Sequence, residues 1–321
     1  MKINIANRFP AWLSAFCVVI AGLTACKKST SSNTTAGPQT ITTVLKNASD
    51  VTLFYSAMTR VHLDSTFNGP GPFTVFVPTD NAFTVAGITG SSLSALTVDS
   101  LKYFLLYHTL AAGLLSTSLP AGPNAKMVTA NGDSVFITVN TNGIFINGIQ
   151  ALSHDVQASN GYINAMSAPL FPPRGTLLQT LQADTSFSYM VAAVSRASLG
   201  STDMNGMLAS GGPYTLFAPV NYAFRTAGFA TIDQINAANS DSLANILLYN
   251  MLPGRTFTSD VSSGTFRTTL NDSTILFMSS GATRQIKGSM NTIPANVIAA
   301  NIMARNGVMY AIDQVLRPKL P

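Results

Sequence analysis

The chain of 321 residues contains a duplicated segment of about 140 residues. Three pairs of segments match in the same order: Phe73–Gly87 with Tyr214–Gly228, Asp99–Leu110 with Asp241–Leu252, and Asn160–Ser167 with Asn306–Asp313. A repeat this long is a whole domain, because solenoid units span only about 20–50 residues. The chain is therefore predicted to fold as two tandem domains, covering residues 40–173 and 174–321.

The first 26 residues predict an exported protein. Lys2 and Arg8 precede an apolar run over residues 9–25, and Cys26 follows it directly. This order is typical of a secretory signal peptide, and its Leu-Thr-Ala-Cys end resembles the bacterial lipobox, in which the Cys is acylated. We interpret residues 1–25 as a lipoprotein signal. A transmembrane anchor, for which the run is short, and a plain signal with an incidental Cys are the alternatives.

A lipid on Cys26 would hold the mature protein at a membrane. Residues 26–39 have almost no apolar content and are predicted to form a flexible tether. Cys17 lies within the signal, so the mature chain keeps one Cys, forms no internal disulfide and depends on its cores. Lys27 and Lys28 stand where an Asp would indicate inner-membrane retention, which favours the outer membrane. The leaflet stays open.

Charged residues are scarce, which narrows the classes of partner. They make up 10% of the chain, against a usual figure of about 25%. Without the two basic residues of the signal, 16 basic residues face 13 acidic ones, and no basic cluster follows the tether. We therefore expect no nucleic-acid partner and a surface made mainly of Ser, Thr, Asn and Gly.

Each half begins with a helical pattern and continues into β-structure. Apolar residues at helical spacing are Val51, Phe54, Tyr55 and Met58 in the first half, and Phe187, Met190, Val191 and Val194 in the second. Strands are predicted at 73–77, 134–140, 143–147, 214–218 and 274–279, and Asn-Gly turns at 131–132, 142–143, 147–148, 160–161 and 306–307. Asp80, Asn221, Asp99 and Asp241 are interpreted as helix N-caps. The predicted fold class is α+β.

In this order the motifs resemble the fasciclin (FAS1) domain. The first copy has Pro-Thr-Asp-Asn-Ala-Phe after a strand and Leu-Leu-Tyr-His-x-Leu in a helix, and the second closes with Ile-Asp-x-Val-Leu-x-Pro. The resemblance implies a seven-stranded β-sandwich or wedge with flanking helices, and an adhesion or matrix-interaction module. The family-motif residues, which we expect to be structural, are Asp80, Tyr107, His108, Asn221, Tyr249, Asn250 and Asp313.

The two copies also depart from the family pattern. Asn164 and Ser167 stand where the first copy would usually have His and Asp, and Asn250 and Tyr310 replace two His in the second. The integrin-binding positions of animal relatives have no clear match. That activity is therefore not transferred to this chain.

His108 is the residue with the greatest potential for chemistry. It lies on the same helical stripe as Leu101 and Phe104, so its ring is expected to face the core. A titrating switch or metal ligand is one interpretation, and a buried ring bonded to backbone groups is the other. The second copy has Asn250 there, which can form the bonds but cannot act as a base. The structural interpretation is favoured.

No motif in the sequence indicates catalysis, a cofactor or a metal. His62 and His154 lack ligand spacing, and neither a metalloprotease motif, a nucleophile elbow nor a P-loop is present. We predict a non-catalytic, surface-anchored adhesion protein that binds an extracellular protein or polysaccharide. The alternative is a glycan-binding accessory lipoprotein of a polysaccharide uptake system, and a hydrolase is a third hypothesis. Phe171 and the linker Pro172–Arg174 lie where a cleft between domains would form, or simply where the domains pack.

Overall fold

The computed structural model describes residues 39–319. The predicted signal peptide, the tether as far as residue 38 and the lipidation site Cys26 lie outside the described residues. Within 39–319, no helix has both the length and the apolar character needed to cross a membrane. The described residues 39–319 belong to one compact unit, in which each copy of the repeat builds one module.

The first module begins with helices and ends with strands. Its helices are α1 (Ile41–Asn47), α2 (Thr52–Arg60), α3 (Leu63–Asn68), α4 (Asp80–Val85), α5 (Gly90–Ala95) and α6 (Val98–Tyr107). Its strands are β1 (Phe73–Pro78), β2 (Thr109–Leu110), β3 (Gly122–Val128), β4 (Ser134–Asn140), β5 (Gly143–Ile146), β6 (Ile149–Ala158) and β7 (Gly161–Met166). A short 3-10 turn spans Ser116–Ser118.

The second module repeats this order. Its helices are α7 (Leu177–Gln182), α8 (Ser188–Ala197), α9 (Met204–Ala209), α10 (Asn221–Thr226), α11 (Ile232–Ala237) and α12 (Ser240–Tyr249). Its strands are β8 (Tyr214–Pro219), β9 (Met251–Pro253), β10 (Phe266–Thr268), β11 (Thr274–Ser280), β12 (Thr283–Lys287), β13 (Ala295–Ala304) and β14 (Gly307–Ile312). A 3-10 turn at Thr185–Phe187 leads into α8.

Both modules have the same seven-stranded sheet. The strand order is β2-β1-β7-β6-β5-β4-β3 in the first and β9-β8-β14-β13-β12-β11-β10 in the second. The first long strand pairs in parallel with the last, so that Phe73 faces Gly161 and Tyr214 faces Gly307. The predicted Asn-Gly turns each connect two consecutive strands. The prediction of an α+β fold with seven strands per module is confirmed.

The sheet of each module separates two apolar cores. Side chains of a strand point alternately to its two faces, so Val75 and Val77 of β1 pack with the helices while Phe76 packs on the opposite face. In β8, Leu216 packs with the helices and Phe217 on the opposite face. A fully buried side chain of this size stabilises by about 1.5–3 kcal/mol. Packing on both faces therefore holds the sheet of each module in place.

The capping role predicted for Asp80 and Asn221 is assigned to the wrong helices. Asp80 is the first residue of α4, and the hydroxyl of Thr79 caps that helix instead. The Asp80 carboxylate accepts from the backbone N–H of Thr52, at 3.1 Å, and of Leu53, at 2.9 Å. The Asp80 side chain therefore accepts hydrogen bonds from the first turn of α2, not from the first turn of its own helix.

Asn221 acts in the same way in the second module. It is the first residue of α10, which follows Val220 without a side-chain cap. Its Oδ1 accepts from Tyr189 N–H at 3.0 Å, at the start of α8. Asp99 and Asp241 are not N-caps either, because each is the second residue of its helix; Thr97 and Asn239 occupy the capping positions.

Candidate functional site

His108 and Asn250 occupy equivalent positions at the ends of α6 and α12, and both are fully buried. His108 Nδ1 donates to Phe104 O at 2.9 Å, and its Nε2 accepts from Leu170 N–H at 2.9 Å. One donor and one acceptor define the neutral imidazole. Asn250 Nδ2 donates to the carbonyls of Ile246 and Leu316, at 2.8 and 3.0 Å, and its Oδ1 accepts from Leu316 N–H at 3.2 Å.

Burial lowers the pKa of His108 to about 4, and the bond to the Phe104 carbonyl offsets this only in part. The rings of Phe54 and Phe104 pack against the imidazole, with centroids 5.8 and 4.6 Å away. At neutral pH the ring is therefore uncharged. It links α6 to the segment that leaves β7 toward the second module.

The two motif tyrosines bond the same part of each sheet to the helices. Tyr107 donates to Ser134 O at 3.1 Å and accepts from Asn147 Nδ2 at 2.9 Å. Burial raises its pKa. Tyr249 donates to Thr274 O at 2.7 Å and accepts from Ser289 N–H at 2.7 Å. Both hydroxyls are occupied by protein groups.

Hydrogen bonds also hold two residues at the end of the second module: Asp313, a motif residue that this copy retains, and Tyr310, which replaces a family His. Asp313 accepts from the backbone and side-chain N–H groups of Asn296, at 2.7 and 2.6 Å. Tyr310 donates to Thr256 O at 2.7 Å, and burial raises its pKa. No three His, Cys, Asp or Glu side chains converge as a metal site in the described residues.

Asn160 and Asn306 form structural hydrogen bonds, whereas the Asn-Gly pattern at these positions predicts only a turn. Asn160 Oδ1 accepts from Ile41 N–H, and its Nδ2 donates to the carbonyls of Phe67 and Gly69. In the second module, Asn306 bonds to three groups at matching places: Leu177 N, Leu208 O and Gly211 O. The two residues occupy the same position of the repeat, and this correspondence is the sequence signal that could have identified their structural role.

The junction between the modules is organised around Asp260. Its Oδ1 accepts from Thr138 Oγ1 at 3.0 Å, and its Oδ2 accepts from Asn124 Nδ2 at 3.0 Å, both in the first module. Within its own module it accepts from Phe257 N–H at 2.7 Å and Ser259 Oγ at 2.9 Å. One carboxylate therefore fixes a loop of the second module onto β3 and β4.

Arg255 adds a stacked contact to the same junction. Its guanidinium lies over the Phe136 ring, 4.4 Å from the centroid, and the Phe136 and Phe257 rings are 6.0 Å apart. Arg255 also donates to Arg305 O at 2.6 Å. Burial lowers its pKa. The modules thus meet through aromatic, cationic and hydrogen-bonded contacts.

Replacing Asp260 with alanine is expected to loosen the junction by about 2 kcal/mol, since hydrogen bonds to charged groups contribute about 1.5–3 kcal/mol and this carboxylate is partly exposed. Hydrogen exchange of β3, β4 and residues 255–261 should accelerate, while exchange of α2 and α8 stays unchanged. The matched control is Ser118→Ala, because Ser118 is the counterpart of Asp260 in the first module. Equal exchange in both variants would contradict the role of Asp260.

Two cavities share the linker as part of their walls. Phe171, Pro172 and Arg174 line a cavity of about 540 Å³ that reaches Met303 and Met309, and a second of about 840 Å³ that reaches Phe104. Of the two interpretations given for this linker, a cleft and simple packing of the domains, the structure shows features of both: cavities adjoin it, and the neighbouring Phe171 is packed. The Phe171 ring also packs against Phe104, with centroids 6.2 Å apart.

A pair of equivalent apolar side chains is exposed on the long bulged strands. Leu152 of β6 is 60% exposed, and Ile298 of β13 is 58% exposed. Both strands continue past a bulge at which a residue adopts positive φ, Asp155 in the first module and Asn301 in the second. The repeat therefore presents the same apolar position twice.

Comparison with known proteins identifies the family. A sequence model of the Fasciclin domain matches residues 49–172 and 185–318. The chain therefore belongs to the fasciclin domain family, and it carries two copies of the domain. This agrees with the resemblance found in the sequence.

Several relatives are proteins of bacterial or animal origin. Protein sll1483 of Synechocystis is 32% identical over 146 residues, which cover 45% of this chain and 74% of that protein. Transforming growth factor-beta-induced protein ig-h3 of Sus scrofa is 28% identical over 273 residues, covering 82% of this chain but only 38% of that protein. Cell surface glycolipoprotein MPB83 of Mycobacterium bovis is 31% identical over 112 residues, covering 34% of this chain and 46% of that protein.

Among solved structures, a FAS1 domain pair from the insect cell adhesion molecule Fasciclin I is similar to this chain. The alignment covers 82% of this chain and 95% of that chain, at 17% sequence identity and a TM-score of 0.40.

Proposed function

We propose that this chain is a non-catalytic adhesion or interaction protein of the cell envelope, attached through a lipid on Cys26. Family membership supports an interaction role, because relatives include a cell surface glycolipoprotein. The polar groups of the motif residues support it as well, since they bond to other groups of the fold rather than converging on a reaction centre. The proposed location is the outer membrane, because Lys27 and Lys28 follow Cys26 where an Asp would indicate inner-membrane retention.

The observation that carries this proposal is the repeated exposed pair, Leu152 and Ile298. Single exposed apolar side chains are common on protein surfaces, and what sets this pair apart is that the same position is exposed and apolar in both copies of the repeat. Two equivalent positions on modules joined at a fixed junction can engage a repetitive target together. Simultaneous engagement raises apparent affinity by about 10²–10⁴ over a single contact.

The test measures binding of the purified protein to extracellular polymer isolated from the producing cells and immobilised on a sensor. Leu152→Ser and Ile298→Ser are each expected to weaken binding by about a hundredfold, because either change removes the bivalent mode. Val85→Ser is the matched control, since Val85 is 77% exposed but is replaced by Thr226 in the second module. In cells, Cys26→Ser should abolish fatty-acid labelling and release the protein.

Unchanged binding of both serine variants would reject the repeated pair as the contact. Loss of binding in Val85→Ser to the same degree would point to a general effect of surface apolarity. Retention of the fatty-acid label in Cys26→Ser would reject the anchor while leaving the binding result intact.

The second candidate is the glycan-binding accessory lipoprotein, and one feature of the second module favours it. Tyr222 is 60% exposed and lines a polar cavity of about 400 Å³ with Gln314 and Arg317. Exposed aromatic faces beside planar polar groups suit the stacking of sugar rings. If the polymer contact is a glycan at this place, Tyr222→Ala lowers binding and Leu152→Ser does not.

A further inference from the structure

The larger cavity beside the linker is bounded by both modules. Its volume of about 840 Å³ lies within the range of about 300–1,000 Å³ usual for small-molecule sites. Its apolar wall consists of Ile88, Leu93, Leu96, Phe104, Phe171 and Pro172. Phe171 is 51% exposed, so its ring is available to a ligand as well as to Phe104.

Two guanidinium groups, of Arg174 and Arg305, line the same cavity. Their backbones are held close together, because Arg305 N–H donates to Gly175 O at 2.8 Å. Both arginines are exposed, and in residues 39–319 no carboxylate oxygen lies within 4.0 Å of either guanidinium. Asp99 is the carboxylate found in the described lining. Tyr103 also lines the cavity, and its hydroxyl bonds to the Asp133 carboxylate. The lining itself thus combines an apolar wall with two guanidinium groups and one carboxylate.

We propose that this cavity binds a small acidic amphiphile, a molecule with an apolar ring or chain and one carboxylate, sulfonate or phosphate group. The apolar part packs against Phe104 and Phe171, and the head group accepts hydrogen bonds from Arg174 and Arg305. Arginine is suited to this because its planar guanidinium matches the geometry of oxyanions. Such a ligand contacts both modules and the linker at once. The inference does not depend on the proposed adhesion.

The test compares two fluorescent probes of nearly the same shape, anilinonaphthalene sulfonate, which is anionic, and phenylnaphthylamine, which is neutral. Arg174→Gln and Arg305→Gln are each expected to weaken the anionic probe about fivefold, the upper range for an exposed charge pair, and to leave the neutral probe unchanged. Asp99→Asn should strengthen the anionic probe. Phe171→Ala should weaken both probes.

Arg267→Gln is the matched control, because Arg267 is an exposed arginine on β10, and it should change neither affinity. Circular dichroism melting verifies that each variant is folded. The proposal is overturned if neither probe binds, or if the two glutamine variants at the cavity behave like Arg267→Gln. It is also overturned if Asp99→Asn weakens the anionic probe, since that would place its charge away from the arginines.

Discussion

Replacing Asn160 with alanine is expected to destabilise the first module by about 3–5 kcal/mol. The side chain forms three hydrogen bonds across long sequence distances: from Ile41 N–H at 3.0 Å, and to the carbonyls of Phe67 and Gly69 at 2.8 and 2.7 Å. Each bond contributes about 1 kcal/mol net, and each buried group left unpaired costs about 1–3 kcal/mol. Asn160 itself is buried, so water replaces these bonds poorly.

Urea unfolding followed by circular dichroism measures the loss, and hydrogen exchange assigns it to a module. Asn160→Ala should accelerate exchange in α1 and α3, and Asn306→Ala should do the same in α7 and α9. The control is Asn142→Ala, at the exposed tip of the β4–β5 hairpin, where a surface change is expected to stay within about 0.5 kcal/mol. If Asn142→Ala costs as much as Asn160→Ala, the effect belongs to Asn-Gly turns in general.

The same pair of residues illustrates what local pattern reveals and what it omits. The Asn-Gly pair at 160–161 correctly predicts a turn, because both residues tolerate positive φ. The second reason for the glycine is visible only in the fold: a Cβ on Gly161 would lie 2.0 Å from Phe73 O. That approach follows from the parallel pairing of β1 with β7, two strands separated by most of the module. Periodicity predicts strands but not their distant partners.

Helix caps show the same difference between what the local sequence predicts and what only the fold reveals. The pattern at Asp80 correctly indicates a polar residue at a helix start, and the side chain does bond to helical N–H groups. Those groups belong to Thr52 and Leu53 of another helix. The local sequence pattern does not predict that this helix lies next to Asp80. The short range of a capping prediction is therefore its limit. Packing decides which helix receives the bond.

The residues that join the two modules could not be predicted from the sequence for a related reason. Asp260 and Arg255 have no likeness in the repeat, since their counterparts are Ser118 and Gly113. Comparison of the two copies therefore does not identify Asp260 and Arg255, whereas it does draw attention to the equivalent residues His108 and Asn250. This difference also has a consequence for assembly: the first module lacks the carboxylate and the guanidinium with which the second module docks. The first module therefore cannot dock onto another copy of the chain through the contact that joins the two modules.

Acidification is expected to destabilise the first module through His108. Its pKa is lowered in the fold from 6.5 to about 4, chiefly by burial. Because the folded state binds this proton less readily than the unfolded state, the stabilisation is complete above about pH 6.5. It is lost progressively as the pH falls to about 4, and the linkage amounts to about 3 kcal/mol. Unfolding free energies measured by urea titration between these pH values give the slope.

The chain supplies its own control for this prediction, because the second module places Asn250 at the same position. His108→Asn keeps a donor and an acceptor toward Phe104 and Leu170 but has no proton to gain. The variant is expected to be less stable at pH 7, since the smaller side chain leaves space between two aromatic rings, and to lose the acid-dependent slope that His108 contributes. His154→Asn, which alters an exposed imidazole beside Asp155, should retain that slope. An unchanged slope in His108→Asn would show that other groups control the acid response, and the buried ring would then be a packing element alone.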